Sequence, residues 1–176
     1  MAKGIREIEL KVLSELMKNS RISDRELAKR LGVSQPTVSR IRNKFEKEGY
    51  IKEYTYIPDF VKLGYSLMAL TLIKRAEGSQ EQSSLFKEAN KYAAKMGFDT
   101  VMAVRVMGFG YDAAIISFHE NYSAFLERIR EIKQFPGIDV EHVESFIVDL
   151  TDKALYRELT FSTLANHMLT LGRTLE

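Results

Sequence analysis

Between Ser34 and Lys44 the chain concentrates side chains that exchange hydrogen bonds and carry positive charge: Ser34, Gln35, Thr37, Ser39, Arg40, Arg42, Asn43 and Lys44. At 100° per residue, Val38, Ile41 and Phe45 fall on one stripe, which must be buried. Pro36, Ser39, Arg40 and Asn43 lie opposite, with Gln35 and Arg42 on one flank and Thr37 and Lys44 nearer the boundary. Small polar groups beside guanidinium groups suit a duplex groove. Arg can donate two hydrogen bonds to guanine, and Gln or Asn can pair with adenine. On a lone helix such a face would be an ordinary solvated surface. The residues before it change that reading.

Ile22 to Glu48, ISDRELAKRLGVSQPTVSRIRNKFEKE, reads as two helices joined by a tight turn. Ser23 is an N-cap, Glu26 completes a capping box, and Ile22 and Leu27 flank it as a hydrophobic staple. The first helix runs from Asp24 to Leu31, and Gly32 supplies the left-handed residue that ends it. Ser34 caps the second helix, Pro36 falls in its first turn where a missing N–H costs little, and Val33 and Val38 form a second staple. This two-helix unit places a recognition helix in the major groove. The candidate DNA-binding residues are therefore Ser34, Gln35, Pro36, Thr37, Ser39, Arg40, Arg42, Asn43 and Lys44.

An earlier helix is expected from about Ile5 to Lys18, carried by Ile5, Ile8, Val12, Leu13 and Leu16 at helical spacing. After Gly49, the segment YIKEYTYIP is rich in aromatic and β-branched residues and reads as a short two-stranded wing. Lys52 could meet a phosphate there, while Tyr50, Tyr54 and Tyr56 read as packing residues. Residues 1–60 hold 13 Lys or Arg against 9 Asp or Glu, a net of +4, although the whole chain carries only +2. A basic front on a near-neutral body fits a nucleic-acid module attached to something else.

Composition narrows the other possibilities. The 45 % hydrophobic and 28 % charged fractions are those of a globular protein. Zero cysteines excludes disulfides, zinc fingers and cysteine nucleophiles. His119, His142 and His167 are far apart and show no metal-ligand spacing. No apolar run approaches a membrane span and no signal-peptide core opens the chain, so a cytoplasmic location, without a membrane partner, cofactor or metal, is expected.

Residues 58–65, PDFVKLGY, read as one helical turn closed by Gly64, a hinge between modules. Beyond it, SLMALTLIKR, TVMAVRVM, AAIISF and VEHVESFIVDL read as strands. Leu85, Ala89, Tyr92, Ala93 and Met96 make a helical stripe between the first two. Tyr122, Phe125, Leu126, Ile129 and Ile132 make another before the last, stopped by Pro136-Gly137. The order β-α-β-β-α-β is the ferredoxin-like split unit, an antiparallel sheet with both helices on one face. Its other face, carrying Leu, Val and Met, fits a second copy of the chain. The expected fold is α+β: a winged helix-turn-helix at 1–57, the hinge at 58–65, a ferredoxin-like dimerisation and effector domain at 66–150, and a helical extension at 151–176. Phe161, Leu164, Ala165 and Met168 give that extension an apolar stripe, which should dock on its own or a neighbouring subunit.

Taken together, RISDRELAKRLGVSQPTVSRIRNKFEKEGYIKEY, the PDFVKLGY turn and the β-α-β-β-α-β domain resemble the Lrp/AsnC (feast/famine) transcription regulators of bacteria and archaea. The resemblance covers about residues 5–150. It implies double-stranded DNA as a partner, a homodimer built by sheet-to-sheet pairing and often assembled further, and an amino-acid effector near the turn between the second and third strands. The family's turn pattern of glycine, aromatic and aspartate is matched by Gly108, Tyr111 and Asp112, with Phe109 and Gly110 between. Gly108 and Gly110 would let a ligand approach the backbone. Turn N–H groups would accept a carboxylate, and Asp112 an ammonium. Residues 151–176 depart from the family, whose members commonly stop near the last strand.

Two other readings compete. MGFGYDAAI brushes against the RNA-recognition signature, but Met107 replaces its basic residue and Asp112 and Ala114 replace residues of its strand face. The same two-module architecture also resembles siroheme decarboxylases, for which Arg105, His119, His142 and Tyr111 would be pocket residues; nothing in their spacing singles them out.

Overall fold

A computed structural model describes residues 5–76, 87, 99–135, 138–152, 154 and 159–173. The chain forms two compact units, Met1–Ile57 with Arg157–Glu176, and Pro58–Tyr156.

In the first unit α1 (Glu7–Lys18), α2 (Asp24–Leu31) and α3 (Gln35–Lys47) bury the apolar stripes that periodicity demands. Val12, Leu16, Ile22, Leu27, Ala28, Val38, Ile41 and Phe45 form one core, with Val33 and Ile51 packed against it. Both staples thus end in the same cluster. The helix ends are built as their residue types require. Ser23 accepts from the Glu26 N–H at 3.2 Å and Ser34 from the Thr37 N–H at 3.3 Å. Gly32 turns the chain at φ 67°, a left-handed conformation that a Cβ would strain.

The segment after α3 differs from the expected wing. Residues 51–59 form no strand. Between Ile51 and Ile57 there is no Gly, Asn or Asp to make a hairpin turn, and the segment does not pair with itself. It is tied down by Ile51 N–H to Phe45 C=O at 3.1 Å, Ser20 Oγ to Thr55 C=O at 3.1 Å, and Tyr54 OH to Glu46 at 2.7 Å.

A further helix near the end of the chain, labelled α5 (Ser162–Arg173), packs on α1 in this same unit. Ser14 lies about 200° around α1 from Val12, so it faces away from the core, yet it is fully buried. Its Oγ donates to the Ala165 C=O at 3.0 Å, and Ala165 is fully buried too. Two small residues at the crossing let the helix backbones approach closely.

The second unit is a four-stranded antiparallel sheet of β1 (Leu67–Arg75), β2 (Thr100–Arg105), β3 (Ala113–His119) and β4 (Ile138–Asp149), in the order β2-β3-β1-β4. Between β3 and β4 runs α4 (Tyr122–Lys133), capped by Asn121, which accepts from the Ala124 N–H at 3.0 Å. Phe125 of α4 packs edge-on against His119, which identifies the covered face as that of Ala69, Thr71, Ser117 and His119. The stripe Leu85 to Met96 and the Pro136-Gly137 stop lie outside the described residues. On the opposite face the registers align Met102, Ile116, Leu70 and Phe146 in one row across the sheet. Phe146 is 64 % exposed and Met102 42 %. Residues 58–65 coil into a turn whose Phe60 stacks on Phe118 at 3.9 Å. Among the described residues no helix is long and apolar enough to cross a membrane.

Candidate nucleic-acid interface

The sequence-predicted residues of α3 fall into three groups by what they touch. Gln35, Pro36, Arg40 and Asn43 are exposed, and the side chains of Gln35, Arg40 and Asn43 make no hydrogen bond or ion pair among the described residues. Ser34 and Thr37 are spent on the cap, their hydroxyls 2.8 Å apart. Ser39, Arg42 and Lys44 have partners elsewhere in the unit.

Ser39 Oγ donates to Asp24 at 2.5 Å, and Arg42 Nε donates to the other oxygen of the same carboxylate at 2.7 Å. A second nitrogen of Arg42 reaches the Ile22 C=O at 2.9 Å, and the guanidinium lies 5.8 Å from the centroid of the Tyr54 ring. Burial works to lower the pKa of Arg42, but Tyr54 and Asp24 outweigh it and hold it above its ordinary value. Tyr54, read from sequence as a packing residue, lies against Arg42, whereas Asp24 escaped the sequence reading. Asp24 reads simply as a first-turn acid, and nothing in its spacing announces a partner 18 residues on.

Lys44 donates to Glu9 of α1 at 3.1 Å, and Arg6 donates to the same carboxylate from both its backbone N–H and its guanidinium. Glu9 is 2 % exposed. Burial alone would raise its pKa, yet the hydrogen bonds from Arg6 and Lys44 prevail and lower it from 4.5 to about 2. A carboxylate with a depressed folded pKa adds stability above its unfolded pKa and loses it as pH falls through the folded one. The first unit should therefore weaken between about pH 5 and pH 2, by about 1–3 kcal/mol from this group. In Glu9→Gln, thermal melts across that range should show a shallower acid slope and lower stability at pH 7. An acid slope identical to wild type would exclude Glu9 as its source.

The turn between β2 and β3 holds Gly108 at φ 126°, Phe109 at 52° and Gly110 at 80°. A Cβ on either glycine would meet nothing within 4 Å, so it is the backbone conformation that calls for glycine here. Asp112 accepts the Arg75 N–H at 2.9 Å and pairs with Arg75 Nε at 3.2 Å. Burial acts to raise its pKa, and Arg75, with Arg105 nearby, brings it below the ordinary value. Glu144 beside the Tyr111 hydroxyl raises its pKa above the ordinary value. Both polar groups of the turn thus have partners within the chain.

Of the residues of the enzymatic reading, His119 stands at one end of the sheet, and Arg105, with the strand ends that carry Tyr111 and His142, at the other. His142 pairs with Asp139 at 3.0 Å on β4, and Arg105 is exposed at the end of β2. His119 lies between Asp99 and Ser117, at 2.9 and 2.8 Å, an order that matches a carboxylate–imidazole–hydroxyl triad. Ser117 and His119 are 2 % and 1 % exposed, so no substrate reaches the hydroxyl. Burial lowers the imidazole pKa, which Asp99 opposes and Arg128 reinforces. The network fastens β2, β3 and α4 together. Among the described residues no group of His, Asp or Glu could hold a metal ion.

Comparison with known proteins agrees with this geometry. Residues 5–52 match the winged helix-turn-helix DNA-binding family model. An uncharacterised HTH-type transcriptional regulator of Pyrococcus abyssi is 30 % identical over 133 residues, spanning 76 % of this chain and 85 % of the relative. The leucine-responsive regulatory protein of Salmonella typhimurium is 27 % identical over 139 residues, 78 % of this chain and 81 % of its own. Further Pyrococcus regulators, 32–40 % identical, align over only 45–56 % of their length. Among solved structures, an AsnC family transcriptional regulator from Agrobacterium tumefaciens superposes with a TM-score of 0.71 at 20 % identity, covering 90 % of this chain and 99 % of that one. A transcriptional regulator of Neisseria meningitidis in complex with L-Met gives 0.72 at 16 %, covering 90 % and 98 %. On the Pyrococcus abyssi match, and with the fold these structures share, the chain belongs to the Lrp/AsnC (feast/famine) family of transcription regulators.

Proposed function

We propose that this protein is a transcription regulator that reads double-stranded DNA with α3, binds as a dimer or larger assembly, and responds to an amino acid. The observation that carries the reading is the free face of Gln35, Arg40 and Asn43 on the second helix of the helix-turn-helix. In this reading Arg40 would donate to guanine, and Gln35 or Asn43 would pair with adenine. Ser34 and Thr37, at the positive end of α3, would meet backbone phosphate. The row Met102, Ile116, Leu70 and Phe146 supports pairing of two sheets, because a two-fold axis covers the same patch on both copies. For the effector, the N–H groups of Gly108, Phe109 and Gly110 would meet a carboxylate, those of Tyr111 and Asp112 being held by the Gly108 and Ile73 carbonyls. The Neisseria relative's complex with L-Met makes amino acids the ligands to try first. Because Asp112 is already held by Arg75, an ammonium group would have to share or displace that pair.

Selection of bound duplexes from a random pool tests the whole reading. A two-fold dimer should recover an inverted repeat with half-sites about one helical turn, or a multiple, apart. Titrating the selected operator with each common amino acid in turn should then change its affinity for the protein. Recovery of a lone half-site bound by one chain would refute the dimer, no enrichment at all would refute sequence reading, and indifference to every amino acid would refute the effector.

A further inference from the structure

In a helix-turn-helix the first helix crosses the DNA backbone, and a helix N-terminus attracts phosphate. Asp24 stands in the first turn of α2, where a bare carboxylate would oppose both. It is not bare. Its two oxygens take one hydrogen bond each from Ser39 and Arg42 of α3, on the same side of that helix and three residues apart. Arg42 also holds the Ile22 C=O, the residue just before the Ser23 cap. Its side chain is only 16 % exposed. On its outer side the guanidinium meets Tyr54, whose hydroxyl is anchored to Glu46, one turn further along α3. The start of α2, the middle of α3 and the segment after α3 are joined through one cation.

We propose that Arg42 is a positioning residue that does not itself touch DNA: latched to Asp24, it sets the angle of α3 against α2 and cancels the carboxylate that would otherwise face the phosphates. This rests on α3 being the recognition helix. A planar guanidinium suits the task, since it donates to Asp24 and to Ile22 in different directions while lying within cation–π range of an aromatic ring. A lysine cannot do all three.

The test is a double-mutant cycle on the full chain, with the selected operator and a random duplex as probes, alongside thermal melts without DNA. Arg42→Ala should lose about tenfold or more in operator affinity, and removing the stranded carboxylate in Asp24→Ala/Arg42→Ala should recover much of it. Arg42→Lys should recover only part of that loss, because it keeps the charge that offsets Asp24 and loses the geometry. The slope of log affinity against log salt should stay at its wild-type value in all of them, since no phosphate contact has gone. The melts should show Asp24 and Arg42 coupled, the double variant being more stable than the sum of the single losses.

A different pattern overturns the proposal. If Arg42→Lys binds like wild type, the slope of Arg42→Ala falls by about one counterion, and the double variant is no better than the single, then Arg42 is a phosphate contact. Additive melts would refute the latch itself. A wild-type protein that binds no duplex would overturn the recognition reading, and the role assigned to Arg42 with it, even if the melts are coupled.

Discussion

A Leu70→Asp chain should sediment as a monomer. Leu70 stands inside the row Met102, Ile116, Leu70 and Phe146, on the sheet face that α4 does not cover. It is only half-buried within one chain, so a carboxylate there stays hydrated in the monomer. Pairing of two sheets would remove it from water with no cation opposite, since the row supplies only apolar side chains. An uncompensated buried charge costs about 3–5 kcal/mol. Two-fold symmetry brings in the charge twice. Every 1.4 kcal/mol is a tenfold change in affinity, so dimerisation should weaken by about a hundredfold at the least. Sedimentation equilibrium over a concentration series measures this, with far-UV circular dichroism to establish that the sheet persists. A mass equal to wild type would place the dimer contact elsewhere on the molecule.

Arg40→Ala should separate recognition from attraction. Arg40 is exposed and unpaired among the described residues, so its removal disturbs no packing and strands no partner. If it donates to a base edge, the variant should lose about 1–3 kcal/mol of discrimination at the selected operator. Binding to random duplex would change little, and one base position of a repeated selection would become degenerate. Equal losses on both duplexes, with a salt slope reduced by about one, would make Arg40 a phosphate contact. The contrast with Arg42 is informative: two arginines two residues apart on one helix should fail in opposite ways, one in sequence preference at that position, the other in the alignment of the whole helix.

The helix-turn-helix was legible in the sequence because its determinants are local. Ser23, Gly32, Ser34 and Pro36 act on backbone groups within a turn of themselves, and the stripe Val38, Ile41 and Phe45 follows from helical periodicity alone. The strands of the second unit were legible for a similar reason, through runs of apolar and β-branched residues. What the sequence left open was decided by neighbours distant along the chain. Periodicity fixes the angle at which a side chain leaves its helix, but it is silent about what another element offers there. So Ser39 and Arg42 turn to Asp24, Lys44 turns to Glu9, and Asp112 is held by Arg75. The aromatic run after α3 forms no strand because it lacks a turn residue and meets no second strand among the described residues. Ser14 looks like surface in the sequence and is buried only because α5, some 150 residues later, lays Ala165 against it. Which polar groups of α3 keep no partner is therefore a tertiary property: local rules supplied the helix, and packing leaves Gln35, Arg40 and Asn43 unpartnered among the described residues while engaging the others.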